Sequence, residues 1–143
     1  MADEVHGIAV GTTATFTKAV TSEDIRKFAE ASGDDQPLHL DPSFAARTRF
    51  KEPIAHGVLS AGVVSAAIGK NLAPGRVVIY MSQNLRFRAP VKAGDTLTAK
   101  VTATSVDTEK SRVGLDTVVT NQDGTQVLTG DAMVMVEAPA EAS

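Results

Sequence analysis

The segment that most constrains the fold is residues 57–70, GVLSAGVVSAAIGK, whose small and apolar residues leave no polar face. Two serines and two further glycines are the main interruptions. A helix that is apolar on all sides has to be buried nearly all round. At about 1.5 Å per residue it would be about 21 Å long, enough to run through the centre of a small domain. We therefore expect a long buried central helix.

The residues after this segment change to a two-residue period, which indicates strands. Turn-rich sequences at 90–95, 107–110 and 121–124 separate them. We expect these strands to form an antiparallel meander, joined by an earlier strand around Thr13 to Thr17. Five strands and one buried helix predict an α+β domain in which the sheet curls around the helix. The predicted later strands span residues 77–87, 96–106, 113–120 and 127–136.

Between the first strand and the apolar segment, the sequence predicts two short helices. Thr21 followed by Asp24 resembles a capping box, and Gly33 stands where a C-terminal glycine belongs. Asp41 followed by Pro42 is typical of a second helix start. Residues 34–39 (DDQPLH) are then expected in a tight loop between the two helices.

Length and composition limit the class of protein. The chain of 143 residues is predicted to form a single domain over residues 1–143, with a polar, frayed tail at 138–143. Its net charge of -3 argues against a nucleic-acid partner, and the absence of cysteine excludes disulfides and a thiolate nucleophile. No window has the roughly 18 apolar residues of a spanning helix, and the start has no export signal, so we expect no membrane association and a cytoplasmic location.

Asp34 and His39 are the first candidates for chemistry. A carboxylate and an imidazole within reach of one water can remove one proton and deliver another, as the hydration of an activated alkene requires. A structural hydrogen-bonded pair is the alternative, and for an isolated Asp and His it is the more common one. Asp34, Asp35, His39 and Asp41 also have metal-binding side chains, but their spacing matches no ligand motif, so we predict no metal.

Several segments, in order, resemble the MaoC-like hydratase family, which includes the (R)-specific enoyl-CoA hydratases. They cover most of the chain, and the family has a hot-dog fold. One departure is Gln36, where the family usually has asparagine, preceded by the extra acid Asp35; we expect this to alter how the loop is held. The segments are residues 28–45 (FAEASGDDQPLHLDPSFA), 54–57 (IAHG), 85–91 (LRFRAPV) and 94–95 (GD).

The resemblance implies that Asp34 and His39 are the catalytic pair, Ser65 a supporting active-site residue and Gly57 an oxyanion donor. It thereby implies reversible, (R)-specific hydration of trans-2-enoyl-CoA in fatty acid metabolism or polyhydroxyalkanoate precursor supply. From the residues alone, Gly57 opens a helix whose free N–H groups can face a thioester oxygen. From the residues alone, Ser65 is more simply bonded to the carbonyl of Ala61.

Between Lys70 and Lys100 the cations outnumber the acids, which suits an anionic ligand or a solvated sheet edge. We expect coenzyme A only as part of the substrate, with Arg86, Arg88 or Lys92 contacting its phosphates. His56, before Gly57, is interpreted as a structural histidine that caps the helix entry. An exposed sheet edge and the family both predict a homodimer.

Two alternatives remain open at this stage. The first is an acyl-CoA thioesterase on the same fold, in which a carboxylate directs water at the carbonyl carbon. The second is a non-catalytic acyl-thioester-binding protein or one subunit of a heterodimeric dehydratase. That second alternative predicts the loss of Asp34 or His39, and both are present.

Overall fold

The computed structural model describes residues 3–141 as a five-stranded antiparallel sheet that packs on one central helix. The strands are β1 (Thr13–Ala19), β2 (Val77–Phe87), β3 (Thr96–Asp107), β4 (Arg112–Thr120) and β5 (Gln126–Glu137). The helices are α1 (Ser22–Ser32), α2 (Pro37–Leu40), α3 (Pro42–Ala45) and α4 (Gly57–Ala66). This is the α+β hot-dog architecture that the sequence predicted.

The spatial order of the strands is β1-β3-β4-β5-β2. The predicted four-strand meander is therefore wrong, because only β3, β4 and β5 follow one another as neighbours. β2 crosses to the far edge and pairs with β5, where Val77 lies opposite Glu137 and Phe87 opposite Leu128. The two-residue period identifies which side chains face the core, but it carries no information about which strand lies alongside.

The predicted capping box and C-terminal glycine of α1 are both confirmed. The Thr21 hydroxyl accepts the N–H of Asp24, and the Asp24 carboxylate accepts the N–H of Thr21, so both halves of the capping box form. The hydrogen bond from the Thr21 backbone is the main reason that the pKa of Asp24 lies below its ordinary value. Gly33 ends the helix in the left-handed conformation at φ 85°.

The segment after α1 differs from the prediction at one point. His39 lies on the single turn of α2, not in a loop, because Pro37 begins a helical turn there. Asp41 then begins α3 as expected, and its carboxylate accepts the N–H groups of Ser43 and Phe44. These two short helices hold His39 against the body of the domain, where it is buried.

The central helix occupies the predicted position, with α-helical geometry to Ala66 and π-helical geometry over Ala67–Leu72. One side of it packs on the sheet through Val63, Val64, Ala67 and Ile68, which are all buried. The expectation of burial nearly all round is wrong for a single chain. An outer stripe at helical spacing is exposed to solvent: Val58, Gly62, Ser65 and Gly69.

The end of the chain follows the prediction as far as it is described. β5 ends at Glu137, and residues 138–141 are exposed and have no regular structure. The rest of the predicted tail, residues 142–143, lies outside the described residues, as do residues 1–2. Among the helices of residues 3–141, none has the length and apolar character needed to cross a bilayer.

Candidate active site

The imidazole of His39 is held in one orientation and one tautomer. Its Nδ1 lies 2.7 Å from the carbonyl oxygen of Ile54, which can only accept a hydrogen, so Nδ1 carries the proton. Nε2 is then left with a lone pair, and the side-chain amide nitrogen of Gln36 lies 3.2 Å from it. Because Gln36 is exposed, its amide can leave this position when a ligand enters. His39 is thus prepared to accept a proton at Nε2.

Asp34 lies just after the end of α1, in the turn that leads to α2. Its backbone N–H donates to the Ser32 hydroxyl over 3.1 Å, and that hydroxyl donates to the carbonyl of Phe28 over 2.7 Å. Its carboxylate faces solvent, and Oδ1 lies 3.5 Å from the backbone nitrogen of Gln36. The backbone of Asp34 is fixed while its carboxylate stays accessible to a water or a ligand.

His56 differs from its predicted role as a helix cap. It precedes α4, but its side chain makes no capping hydrogen bond. Its Nε2 instead donates to the backbone carbonyl of Asp34 over 2.8 Å, and its ring stacks on His39 with 3.8 Å between centroids. The side chain is only 2% exposed. His56 therefore contacts both members of the predicted pair.

The start of α4 is open, as an oxyanion site requires. Within residues 3–141, no protein atom accepts a hydrogen bond from the N–H groups of Gly57 or Val58. Gly57 is exposed, and the ring of Phe87 lies beside it, 2.9 Å from the point that a Cβ at residue 57 would occupy. The helix start can therefore donate hydrogen bonds to a ligand in the direction of the helix axis.

Two clefts meet at this helix start. The first, of about 390 Å³, brings together Asp34, His39 and Gly57, three of the four predicted catalytic residues. The second, of about 410 Å³, shares Gly57 and Val58 with the first and is mostly apolar. A ligand with a carbonyl at Gly57 can thus extend from the Asp34 and His39 side into an apolar cleft.

The fourth predicted catalytic residue, Ser65, lies apart from this group. It is exposed on the outer stripe of α4, roughly two turns beyond Gly57, and does not line the cleft that contains Asp34 and His39. The alternative hydrogen bond to Ala61 is also absent among the side-chain hydrogen bonds of residues 3–141. The supporting role of Ser65 stays a prediction.

The three predicted phosphate contacts occupy different places. Arg88 lines the apolar cleft, and its Nε donates to the Thr129 hydroxyl over 3.0 Å. Arg86 is exposed on β2. The Nζ of Lys92 lies 3.7 Å from Oε2 of Glu52. The structure adds Arg49, which lines the same cleft as Arg88. Sequence patterns did not single out Arg49, because its position in a turn far from Arg88 gives no periodic signal.

Three side chains of the site have atoms that bind metals. Asp34, His39 and His56 each have such an atom within 4.8 Å of the other two. The two imidazole planes, however, are stacked and only 27° apart. A metal lies about 2.0 to 2.1 Å from an imidazole nitrogen along the lone pair in the ring plane, and lone pairs in near-parallel planes do not converge. The geometry favours the ring stack over a shared metal ion.

Comparison with known proteins identifies the family that this fold and site define. Residues 6–125 match the family described as the MaoC like domain, and the chain therefore belongs to the MaoC-like family. It is 45% identical over 131 residues to an (R)-specific enoyl-CoA hydratase of Rhodospirillum rubrum, covering 92% of this chain and 90% of that protein. It is 42% identical to a 3-hydroxybutyryl-CoA dehydratase of Methylorubrum extorquens, covering 94% and 85%.

Solved structures agree with this assignment. An unliganded R-hydratase of Pseudomonas aeruginosa superposes with a TM-score of 0.87 at 40% identity, covering 99% of this chain and 92% of that one. An (R)-hydratase of Aeromonas caviae, described as involved in PHA biosynthesis, gives a TM-score of 0.85 at 39% identity, covering 92% and 98%. The sequence resemblance and the hot-dog fold are both confirmed.

Proposed function

We propose that this chain is a hydro-lyase that reversibly adds water to trans-2-enoyl-CoA and forms the (R)-3-hydroxyacyl-CoA. The observation that carries the proposal is the single cleft lined by Asp34, His39 and the start of α4 at Gly57. The relatives named as (R)-specific enoyl-CoA hydratases support the reaction and its stereochemistry.

The two ends of the cleft supply complementary chemistry. N–H groups at the start of α4 polarise the thioester carbonyl and draw electrons from the double bond, which makes the β-carbon electrophilic. The oxygen of water bonds to the β-carbon as the C=C π bond breaks, and Asp34 or His39 takes a proton from that water. The same proton is then delivered to the α-carbon. The sum is one water added, with both side chains restored. His39 Nε2 and the Asp34 carboxylate are the available proton acceptors.

Among the three predicted phosphate contacts, Arg88 is better placed than Arg86 or Lys92. It lines the apolar cleft that begins at Gly57, together with Arg49, so two cations lie where the cofactor end of an acyl-CoA would leave the site. Lys92 already has an acidic neighbour in Glu52. We propose Arg88 and Arg49 as the principal contacts for the coenzyme A phosphates.

We also propose that the protein is a homodimer. The outer stripe of α4 is apolar or small, and β2 is an edge strand that pairs with β5 on one side and has several exposed large side chains. Such an edge is commonly covered by a second copy, and a patch of this kind on a monomer is unusual. The exposed large side chains of β2 are Val77, Ile79, Tyr80, Met81 and Phe87.

The activity is tested directly with crotonyl-CoA. We expect the wild-type protein to hydrate it, and Asp34→Asn and His39→Gln each to lose about 10²- to 10⁴-fold in kcat, the range for general acid–base groups. Asp35→Asn is the matched control, because this neighbouring carboxylate is exposed and does not line the cleft; its rate should stay within about threefold.

The alternatives have their own readouts in the same assay. Release of free thiol from a saturated acyl-CoA, without hydration of crotonyl-CoA, would identify a thioesterase. Full hydration in both Asp34→Asn and His39→Gln would remove this pair from the mechanism. Binding of crotonyl-CoA without turnover would indicate a non-catalytic subunit.

A further inference from the structure

We propose that His56 is a positioning residue, which holds Asp34 and His39 in one mutual geometry and ties both to the start of α4. The inference rests on the proposed function, since it assigns a role within the same site. His56 lies outside the predicted pair in the sequence, and its side chain does not cap the helix.

The contact with Asp34 fixes the turn that carries the carboxylate. The Nε2 of His56 donates to the backbone carbonyl of Asp34 over 2.8 Å, across 22 residues of chain. On its N-terminal side that turn is held through Ser32. The hydrogen bond from His56 is therefore the link in this turn that reaches the segment leading into α4.

The contact with His39 fixes the plane of its imidazole. The hydrogen bond from Nδ1 of His39 to the carbonyl oxygen of Ile54 restrains one ring atom, but the ring can still rotate about the line of this hydrogen bond. The stack on His56, 3.8 Å between centroids and 27° between planes, restrains the ring face. Phe28 of α1 lies against His56 at 4.7 Å, so the three rings form one aromatic group. Together, these contacts set the direction of the Nε2 lone pair of His39.

The other ring nitrogen of His56 indicates why an imidazole occupies this position. Its Nδ1 is buried and has no hydrogen-bond partner within residues 3–141. A buried polar atom without a partner is destabilising, and an apolar ring would avoid that cost. A flat ring that stacks and also donates one hydrogen bond fits both contacts, and imidazole is the smallest aromatic side chain that does so.

Two substitutions separate the two contacts. His56→Phe keeps a ring for the stack but loses the donor to Asp34, whereas His56→Asn keeps an amide donor but loses the stack. We expect each to lower kcat for crotonyl-CoA hydration by about 10- to 100-fold with KM within about threefold, because small misplacement of reacting groups costs rate rather than binding. Rates are measured well below the melting temperature of each variant, so that a loss of stability does not enter.

The chain offers a spectroscopic readout that does not depend on turnover. It has three histidines, and His6 is exposed and remote in sequence from the site, so His6→Asn serves both as the assignment aid and as the control with unchanged kcat. Long-range proton–nitrogen spectra report the tautomer of each imidazole. We expect His39 to keep the Nδ1–H tautomer in every variant, because the Ile54 carbonyl sets it. Its ring signals should be single and sharp in the wild type and in His6→Asn, and broadened by exchange between ring orientations in His56→Asn, where the stack is lost.

The outcomes are distinct. A kcat within twofold of wild type in both His56 variants, or a loss confined to KM, would overturn the positioning role even if the melting temperature falls. His39 ring signals that are as sharp in His56→Asn as in the wild type would overturn it as well. If the wild-type protein does not hydrate crotonyl-CoA, the proposed function fails, while the spectra still test whether His56 orders His39.

Discussion

The helices α1 and α4 differ in two properties: whether their end groups have hydrogen-bond partners, and whether their outer faces are polar. α1 begins with a complete capping box, ends at a left-handed glycine, and carries on its outer face Arg26 between Glu23 and Glu30. α4 begins without a side-chain cap, leaves N–H groups of its first turn unpaired, and exposes an outer stripe of small and apolar residues. The first helix is completed by its own residues, and the second is not.

The two helices therefore have different roles in this fold. The start of α4 opens into the cleft with Asp34 and His39, and its outer stripe is exposed to solvent, so both are free to contact another molecule. Local side-chain bonds at α1 instead serve stability. Substitutions in α4 should therefore alter assembly or rate, and substitutions in α1 should alter the free energy of unfolding.

The largest effect is expected from Gly62→Arg on the outer stripe of α4. A Cβ at Gly62 meets nothing within 4 Å, so in an isolated chain arginine would fit and improve helix propensity by nearly 1 kcal/mol. If a second copy covers the stripe, the same change places a charge in an apolar contact. We expect the molecular mass in solution, measured by light scattering, to fall from dimer to monomer.

The control for this prediction is Val10→Arg, at a valine that is 64% exposed and outside α4 and β2. It should leave the dimer intact. A Gly62→Arg protein that is still dimeric and more stable than wild type would place the interface elsewhere.

The next effect concerns the start of α4. Gly57→Ala would bring a methyl group to 2.9 Å from the ring of Phe87, so this ring, which lines the apolar cleft, has to move. We expect kcat to fall by about 10-fold, with little change in unfolding, because Phe87 is 54% exposed and can rotate outward. Steady-state kinetics with crotonyl-CoA checks this, and an unchanged kcat would mean that the ring position does not affect the site.

At α1, Thr21→Ala should change stability and leave catalysis alone. It removes the acceptor for the N–H of Asp24 and should cost about 1 kcal/mol in the free energy of unfolding. Urea denaturation at a fixed protein concentration measures it, and Ser22→Ala, one position along, is the control. A tenfold loss of kcat in Thr21→Ala would break the division between the two helices.

The smallest effect is the pH dependence of the same cap. Because the pKa of Asp24 is lowered in the folded state, its carboxylate stabilises the fold above its ordinary pKa of 3.8, and this contribution is lost as pH falls through the lower folded value. The stability difference between wild type and Asp24→Asn should be full near neutral pH and decline from about pH 5 downward. A difference that is constant from pH 7 to pH 3 would contradict this.

What the sequence predicts well here depends on short-range interactions. Thr21, Asp24 and Gly33 act within one helical turn, so the bounds of α1 follow from them. Asp41 with Pro42 places α3 in the same way. The family resemblance singled out Asp34, His39 and Gly57, and the structure places these three residues in one cleft.

What the sequence does not predict depends on contacts between distant segments. β2 pairs with β5 and not with β3, the next strand along the chain, and no local pattern encodes that choice. The role of His56 emerges only when α1, α2 and the start of α4 meet, since its partners lie 17 and 22 residues away. The outer stripe of α4 is exposed although its small and apolar residues predict burial, and the proposed homodimer would account for this because a face between two copies has the composition of a buried one.

The pairing of β2 with β5 has a consequence for synthesis on the ribosome. β2 can pair only after β5 has been synthesised, because Val77 lies opposite Glu137. Until then α4 and the strand after it stand exposed, because contacts between distant segments form late. The apolar cleft, whose wall includes Phe87 and Val127, is therefore completed only after β5 has been synthesised.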